Sequence, residues 1–364
     1  MENLSFIAEQ FKSGGNIIKV KEFGNGNIND TFIVTLDTQE ENKFVLQRIN
    51  THVFKHPQLI MKNMRAFTEH VHRRVKEEGH RWQMPRVMRA GENDFYIDDQ
   101  DGFWRAISFV KEAESFDTIK DIRHAHEVGH ALGMFQNLIS DLPIESLADT
   151  LEGFHVTPRY LEHYDRIHAQ NGAHVSPEVT HCFNFIEERR EFAHVLENAH
   201  SAGHLPLRPI HGDPKVNNVM IDNESGAAVS IVDLDTVKPG LVHYDIGDCL
   251  RSGCNPLGEE TENWEAVHFD PEIGAAILEG YLAQARAFLT EADYNYMFDA
   301  IRIISFELGL RFFTDHLAGN VYFKVKHPKH NLLRALVQFQ LTRSIEAHET
   351  DIRNIITKTM ELEK

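Results

Sequence analysis

The segment from His211 to Asp235 constrains this chain more than any other part of its sequence. It begins with His-Gly-Asp-Pro-Lys-Val-Asn-Asn and ends with Ile-Val-Asp-Leu-Asp, so Asn218 follows Asp213 by five residues and Asp233 comes fifteen residues later. Residues 219–221 and 228–232 have the pattern of short strands, and the polar residues between them have the pattern of a turn. A hairpin of this kind can aim oxygens at its entrance and its exit toward one ion. The alternative is a polar hairpin whose acidic residues are incidental.

These groups match what phosphoryl transfer requires. One carboxylate accepts the proton of an attacking hydroxyl, while an amide oxygen and a second carboxylate hold the Mg²⁺ that neutralises the phosphates. We therefore expect Asp213 to be the catalytic base and Asn218 and Asp233 to be metal ligands. Lys215 lies close enough to the base to offset charge on the transferred γ-phosphate, although a surface lysine is the competing interpretation. Protein kinases have H-R-D-x-x-x-x-N at this point, and here Gly212 replaces the arginine.

The composition is that of an ordinary globular protein with room for two lobes. The chain has 364 residues, of which 42% are hydrophobic and 25% charged. Three cysteines are too few for a disulfide framework and suit a reducing compartment. The formal net charge of −18 disfavours nucleic acid and anionic membranes as partners. No bilayer-length apolar run and no secretion signal is visible, so we expect a cytoplasmic enzyme that acts on small molecules.

Strands dominate the first part of the chain and helices the rest. Strands are predicted at residues 17–23, 31–36, 43–49, 95–97 and 103–107, with a helix at 59–76 between them. Further helices are predicted at residues 122–139, 179–198, 271–289, 291–316 and 330–358. This order predicts an α+β, bilobal, protein-kinase-like fold, with an N-terminal nucleotide-binding lobe at 1–110 and a C-terminal catalytic and substrate-binding lobe at 111–364. The backbone of Phe109 and Val110, at the expected hinge, is the candidate contact for adenine.

Two features of the N-terminal lobe are candidates for binding the phosphates. Gly26, Asn27 and Asn29 lie between the first two strands, where small residues let backbone N–H groups approach phosphate. The same residue types also make ordinary hairpin turns. On the third strand, the alternation favours Arg48 over Lys43, and a guanidinium fork suits phosphate. The alternative is that Arg48 and Lys43 are only exposed surface charges.

With this order in place, the chain resembles the aminoglycoside phosphotransferase and choline kinase superfamily, and within it the N-acetylhexosamine 1-kinases. The superfamily signature is H-G-D-x-x-x-x-N followed by I-D. The narrower resemblance is carried by residues 26–32, 45–50, 231–240 (IVDLDTVKPG), 245–248, 251 and 307–322 (ELGLRFFTDHLAGNVY).

The resemblance implies a function and an acceptor pocket. The enzyme would transfer the γ-phosphoryl of ATP, with Mg²⁺, to the anomeric hydroxyl of N-acetylglucosamine or N-acetylgalactosamine. Aminoglycoside, choline or methylthioribose is the alternative acceptor. Asp235, Thr236, Arg311 and Tyr322 would contact the acceptor. Arg311 could instead pair with Glu307 one helical turn earlier, Tyr322 could complete a core, and Asp235 could serve a second ion or a structural role.

One motif points to a different class of enzyme. His126, Glu127 and His130 form H-E-x-x-H, which on a helix can bind Zn²⁺ and supply a base, as in metallopeptidases. However, Gln136 stands where metzincins have their third histidine. The chain also has 23 histidines, which makes chance matches more frequent. A zinc metallopeptidase is therefore the remote alternative, and an inactive kinase-like binding module is a third hypothesis.

Overall fold

A computed structural model describes residues 2–12, 14–24, 28–38, 42–100, 102–170 and 176–361. The strands are β1 (Ile17–Glu22), β2 (Asp30–Leu36), β3 (Lys43–Arg48), β4 (Val87–Met88), β5 (Tyr96–Ile97), β6 (Phe103–Ser108), β7 (Ala113–Glu114), β8 (Arg208–Ile210), β9 (Val219–Asp222), β10 (Ala228–Ile231) and β11 (Lys238–Gly240). The helices are α1 (Glu2–Glu9), α2 (Pro57–Glu78), α3 (Ile122–Ile139), α4 (Thr157–Gln170), α5 (Pro177–Glu187), α6 (Val195–Ser201), α7 (Val242–Gly253), α8 (Pro271–Ala285), α9 (Glu291–Asn295), α10 (Met297–Leu317), α11 (His330–Ala347) and α12 (Glu349–Glu361).

The N-terminal strands form one antiparallel sheet in the order β1-β2-β3-β6-β4, and β5 pairs with β6. Side chains alternate across such a sheet. Phe44 and Leu46 of β3 pack with Ile7 and Phe11 on one face, which α1 therefore covers. The intervening residues of β3 and β6 point to the opposite face, toward α2 and the rest of the molecule.

A shorter antiparallel sheet carries the central motif. β9 and β10 form the predicted hairpin, and β7 pairs with β9 on its other side. β8, which leads into the motif, pairs with β11, which follows it. The predicted lobe boundary after residue 110 falls between β6 and β7. The hydrophobic core crosses this boundary, since Phe67 of α2 packs in the same cluster as Phe135 of α3.

Most of the predicted elements are present. The strands begin and end within one or two residues of their predicted bounds, and α3 matches its prediction to the residue. Three predicted helices are wrong in extent. The segment 179–198 is divided into α5 and α6, 291–316 into α9 and α10, and 330–358 into α11 and α12. α1, α4 and α7 were not predicted.

Side chains at the ends of these helices make local bonds that apolar periodicity does not reveal. Thr290 and Asp293 form a capping box around the first turn of α9, and Asp293 also pairs with Arg208 at 2.9 Å. At the end of α11, the His348 imidazole is 2.8 Å from the carbonyl oxygen of Ser344. A side chain that takes a backbone partner in this way competes with continuation of the helix.

Helices α3 and α8 pack unusually closely because glycines line their contact. A Cβ on Gly129 would lie 1.9 Å from the carbonyl oxygen of Ile277, and one on Gly280 would lie 2.0 Å from that of His126. Glu127 of α3 accepts the N–H of Ala228 at 2.8 Å, so this helix supports the β9–β10 hairpin directly. Among the described residues, no helix is long and apolar enough to cross a membrane.

Candidate active site

The loop that carries Asp213 is held through its backbone by a buried carboxylate. Asp245 of α7 accepts the N–H of His211 at 2.8 Å and that of Gly212 at 2.7 Å. Gln136 of α3 donates to the same carboxylate at 2.8 Å. Gly212 has φ 88, and a Cβ there would lie 2.8 Å from the carbonyl oxygen of Thr236. Glycine replaces arginine at this position because only glycine fits this backbone and this contact.

His211 connects the loop to the end of the hairpin. Its Nε2 is 3.0 Å from the carbonyl oxygen of Val232, and its Nδ1 accepts the N–H of Asp213 at 3.2 Å. Burial lowers the pKa of His211, which keeps the imidazole neutral with its proton on Nε2. His211, two residues before the candidate base, thus braces the backbone of this loop.

The predicted base and metal ligands converge at the mouth of the hairpin. Asn218 donates through Nδ2 to the carbonyl oxygen of Asp213 at 2.7 Å, which leaves its Oδ1 without a hydrogen bond within the described part of the chain. The N–H of Val232 donates to the carbonyl oxygen of Asn218 at 2.8 Å and fixes that side of the hairpin. Asp233 is exposed, lies two residues after the end of β10 and has a left-handed backbone with φ 64. Lys215 Nζ is 3.1 Å from Oδ2 of Asp213.

The electrostatics of this group favour a bound cation. Burial raises the pKa of Asp213 to about 6; Lys215 opposes this shift, and Asp248 and Asp233 add to it. The pKa of Asp233 is also raised, by partial desolvation from the protein groups around it and by the neighbouring Asp235, although the residue remains open to solvent. The surroundings disfavour the ionised form of these carboxylates, and a positive ion beside them would stabilise that form.

The donor set fits Mg²⁺. The free amide oxygen of Asn218 and the exposed carboxylate of Asp233 are hard oxygen donors. No group of three or more His, Cys, Asp or Glu side chains able to hold a metal occurs among the described residues. Mg²⁺ is commonly held by one or two protein oxygens and takes its remaining ligands from phosphates and water.

Asp235 is not part of this opening. It is buried, and its Oδ1 forms an ion pair with Arg105 of β6. Its Oδ2 accepts from Asn29 Nδ2 at 2.6 Å, and Asn29 Oδ1 accepts the N–H of Asn50 at 2.9 Å. Both carboxylate oxygens are therefore used by the N-terminal lobe, and in this conformation Asp235 is not placed to bind an acceptor. Thr236, the next predicted acceptor contact, donates instead to the carbonyl oxygen of His211 at 2.8 Å.

Among the residues predicted to bind phosphate, those that the structure describes lie in different places in the N-terminal lobe. Arg48 lies on the face of the sheet that α1 covers, opposite to the face that carries Arg105, with its guanidinium 5.9 Å from the Trp104 ring. Lys43 lies 5.6 Å from the Phe109 ring. Gly26 and Asn27 lie outside the described residues.

Sequence reasoning missed Arg105. It is fully buried on the face opposite Arg48, where Gln47 Oε1 accepts its Nε and Nη2 at 2.9 and 2.7 Å. The sequence contains a signal for this role, because Arg105 stands in the middle of the apolar run Phe-Trp-Arg-Ala-Ile. A charged side chain on a buried strand needs polar partners, which predicts a buried polar contact at this residue.

The hinge candidates lie where β6 leads into β7. Val110 is buried and Phe109 half-buried. Gln83 holds the next residue, since its side-chain amide donates to the carbonyl oxygen of Lys111 and accepts the N–H of Lys111, both at 3.0 Å. The backbone at Phe109 and Val110 is thus anchored at its C-terminal side.

Arg311 lies in an aromatic setting with few polar partners. Its guanidinium is 5.1 Å from the rings of Phe154 and Tyr160 and 5.6 Å from that of Phe323. The predicted pair with Glu307 is loose, at 3.9 Å. Within the described residues, the guanidinium makes no hydrogen bond.

The electrostatic environment links Arg311 to the candidate base. Burial lowers the pKa of Arg311, but Tyr160, Glu307, Tyr322 and Asp213 together raise it above its ordinary value. The side chain therefore stays charged although it is largely buried.

Tyr322 lies on the loop after α10 and is 49% exposed, so it does not complete a core. Asp315 holds this loop by accepting the N–H groups of Val321, Tyr322 and Phe323 at 2.8–3.0 Å. The tyrosine ring packs edge-on against Phe323 at 4.8 Å. An exposed ring on an anchored loop beside Arg311 is available to a ligand.

Glu127 and Gln136, which would belong to the zinc site, make structural contacts instead. Glu127, the would-be base, accepts a backbone N–H of β10, and Gln136 bridges Asp245 and the Tyr281 hydroxyl at 2.8 and 2.7 Å. Burial lowers the pKa of His130. The helical spacing of this motif serves packing against α8 and support of the hairpin.

Comparisons with known proteins agree with this geometry. The sequence model of the phosphotransferase enzyme family, APH, matches residues 19–291. An aminoglycoside phosphotransferase from Alicyclobacillus acidocaldarius has a similar structure, with a TM-score of 0.63 and 13% identity over 98% of this chain and 96% of the other. A choline kinase from Cryptosporidium parvum gives a TM-score of 0.62 and 15% identity over 100% and 99% of the two chains. A spectinomycin phosphotransferase in complex with ADP and spectinomycin gives 0.53 and 13% over 99% and 98%.

The family match covers well over half of the chain, and the solved structures share its bilobal, protein-kinase-like fold. The chain therefore belongs to the phosphotransferase enzyme family, APH, as a phosphotransferase that acts on a hydroxyl acceptor.

Proposed function

We propose that this kinase transfers the γ-phosphoryl group of ATP, with Mg²⁺, to the anomeric hydroxyl of an N-acetylhexosamine. The observation that carries the chemistry is the convergence of Asp213, Lys215, Asn218 and Asp233 at one hairpin mouth. The similar spectinomycin phosphotransferase was solved with ADP, which supports an adenine nucleotide as donor.

The side chains at the hairpin mouth have separable roles in this reaction. Asp213 orients the acceptor hydroxyl and takes its proton as the oxygen–phosphorus bond forms. Lys215 is placed to neutralise charge on the transferred group, since its ammonium is already beside Asp213. Asn218 Oδ1 and Asp233 would hold Mg²⁺, which when bound supplies charge neutralisation on the phosphates. The protein therefore contributes position and electrostatics.

The nucleotide would bind between the N-terminal sheet and the hairpin. Adenine would contact the backbone at Phe109 and Val110, beyond the end of β6. Arg105 replaces Arg48 as the arginine on the inner face of the sheet, and we assign it the role of orienting the 233–235 segment through Asp235.

The acceptor preference rests on the charge and surroundings of Arg311. A buried guanidinium that makes no hydrogen bond to the described residues favours an acceptor that offers neutral or anionic oxygens. It disfavours a cationic acceptor, because two positive charges in a partly desolvated pocket repel each other. Together with the exposed Tyr322 ring, which suits one face of a sugar, this supports an N-acetylhexosamine over choline or an aminoglycoside.

An acceptor panel tests this proposal. The enzyme would be incubated with Mg·ATP and N-acetylglucosamine, N-acetylgalactosamine, glucose, choline or an aminoglycoside, and ADP formation measured. We expect acceptor-dependent turnover with the N-acetylhexosamines, and ³¹P NMR should show a phosphate on the anomeric carbon. Turnover with choline or the aminoglycoside but not with either N-acetylhexosamine would refute the sugar assignment while leaving the family assignment intact.

A further inference from the structure

His155 lies between the Asp213 loop and helix α10, and it contacts both. Its Nδ1 is 3.0 Å from Oε1 of Glu307, and its Nε2 is 2.7 Å from the carbonyl oxygen of Gly212. A carboxylate and a carbonyl oxygen can only accept hydrogen bonds. With Glu307 ionised, both ring nitrogens donate, which makes His155 an imidazolium. The residue is 4% exposed, so this charge is buried.

We infer that His155, as an imidazolium, is a positioning residue that fixes Arg311 and the catalytic loop relative to each other. The inference deepens the proposed function and rests on it, because Arg311 is the proposed acceptor contact and Asp213 the proposed base. Two further sets of contacts support it.

The first set concerns the peptide group that carries the candidate base. The carbonyl of Gly212 and the N–H of Asp213 belong to one peptide plane. His155 holds the carbonyl, while His211 Nδ1 accepts the N–H at 3.2 Å. The peptide plane is thus held by hydrogen bonds on both sides, from the charged His155 to its carbonyl and from its N–H to the neutral His211. Rotation of this plane would move Asp213, and small displacements of a reacting group are costly in rate.

The second set concerns the partner choice of Glu307. This buried carboxylate takes His155 on Oε1 and the Thr157 hydroxyl on Oε2 at 2.8 Å. Arg311, one helical turn away, stays at 3.9 Å and makes no hydrogen bond to Glu307. His155 therefore satisfies the charge that would otherwise draw the guanidinium back along α10. The donors of Arg311 are left for an acceptor.

The surroundings of His155 favour its charged form. Burial lowers its pKa, but the charge and hydrogen bond of Glu307, with a contribution from Asp248 of α7, outweigh burial and the repulsion of Arg311, so the pKa is raised. The rings of Phe154 and Tyr244 pack against the imidazole at 4.0 and 5.5 Å.

The substitution His155→Asn tests the role in activity. His155 has φ 65, and asparagine tolerates this conformation, so the change removes the bridge without new backbone strain. We expect kcat to fall about tenfold or more and the acceptor KM to rise, while Mg·ATP binding changes less than about twofold. His243→Asn is the matched control, since His243 is equally buried and contacts the carbonyl oxygen of Asp293 at 2.9 Å. At a temperature where both variants are folded, this control should keep wild-type kcat and KM.

Equal losses in the two histidine variants, or an unchanged kcat and acceptor KM for His155→Asn, would overturn the positioning role. A second measurement needs no acceptor. In ¹⁵N-histidine-labelled wild-type enzyme at pH 8, one imidazole should still carry protons on both nitrogens, and His155→Asn should remove that signal. A neutral His155 at this pH would overturn the inference. Failure of the acceptor panel, in contrast, would refute the proposed function and leave this signal unchanged.

Discussion

At the scale of single residues, Asp233 and Asp235 show how backbone conformation separates two similar side chains. They are two positions apart and both lie beside the central motif. Asp233 has a left-handed backbone and an exposed carboxylate, whereas Asp235 is buried against Arg105 and Asn29. The first can serve a ligand, and the second joins the two lobes. Their spacing in the sequence is compatible with either assignment.

Asp213→Asn should remove the proposed base with little change in shape. We expect kcat to fall by about 10²–10⁴, because proton transfer is lost while the asparagine side chain has nearly the same size. Calorimetric titration with Mg·ATP should give an affinity close to that of the wild type. Asp270→Asn, at the N-cap of α8 where asparagine caps equally well, is the matched control and should retain full activity. Near-normal turnover of Asp213→Asn would show that another residue is the base.

Asn218→Ala and Asp233→Ala should act through the metal. Each removes one of the two proposed protein ligands, so we expect the Mg²⁺ concentration for half-maximal activity to rise strongly in both variants. Chelation with EDTA should abolish turnover of the wild type, and added Mg²⁺ should restore it. An unchanged Mg²⁺ requirement in either variant would remove that residue from the site.

At the scale of elements, glycines decide how the supporting helices pack. Gly129 and Gly133 of α3 face the backbone of α8, and Gly280 of α8 faces α3. The resulting close packing brings Glu127 to the hairpin and Gln136 to Asp245. The H-E-x-x-H spacing that suggested zinc arises in this structural helix.

Gly129→Ala should force α3 and α8 apart. The new Cβ would lie 1.9 Å from a backbone oxygen, which no side-chain rotation can relieve. We expect a loss of about 3 kcal/mol or more in the free energy of unfolding, measured by urea denaturation, with reduced activity. Gly14→Ala has open space around its Cβ and should change stability by less than about 0.5 kcal/mol. Equal stability of the two variants would mean that the helices can separate at little cost.

At the scale of the whole molecule, a buried polar network joins the lobes. Arg105 and Asn29 come from the N-terminal sheet and Asp235 from the segment after the hairpin. Burial of such a pair contributes little net stability, but its geometry fixes how the two parts meet. The hydrophobic core also holds the two lobes together, because it includes residues of α2, β6, α3 and α8.

Arg105→Met should leave Asp235 buried without its cation. Removal of one partner of a buried pair typically costs about 3–5 kcal/mol, so we expect a large drop in the unfolding free energy and weaker nucleotide binding. The double variant Arg105→Met with Asp235→Asn should recover much of the stability, because a neutral amide can keep the bond from Asn29. Additive losses in the double variant would mean that the two residues are not coupled.

The sequence alone determined the local chemistry of this protein and the order of most of its elements. The candidate base, the candidate metal ligands and the β9–β10 hairpin lie within one short segment, so local spacing was enough to bring Asp213, Asn218 and Asp233 together. The apolar periodicity of α3 likewise depends only on residues one turn apart.

The tertiary structure decided which side chains from distant segments meet. Arg48 was assigned to the phosphates from strand alternation and from the fit of a guanidinium to phosphate, and in the observed sheet it lies on the face that α1 covers. The contacts of Arg105 with Asp235, of Asp245 with the Asp213 loop, and of His155 with Glu307 join residues 33 to 152 positions apart. Contacts at this separation depend on how helices and sheets pack, and that packing is fixed by close fits such as the α3–α8 glycines, which leave no periodic signal in the sequence.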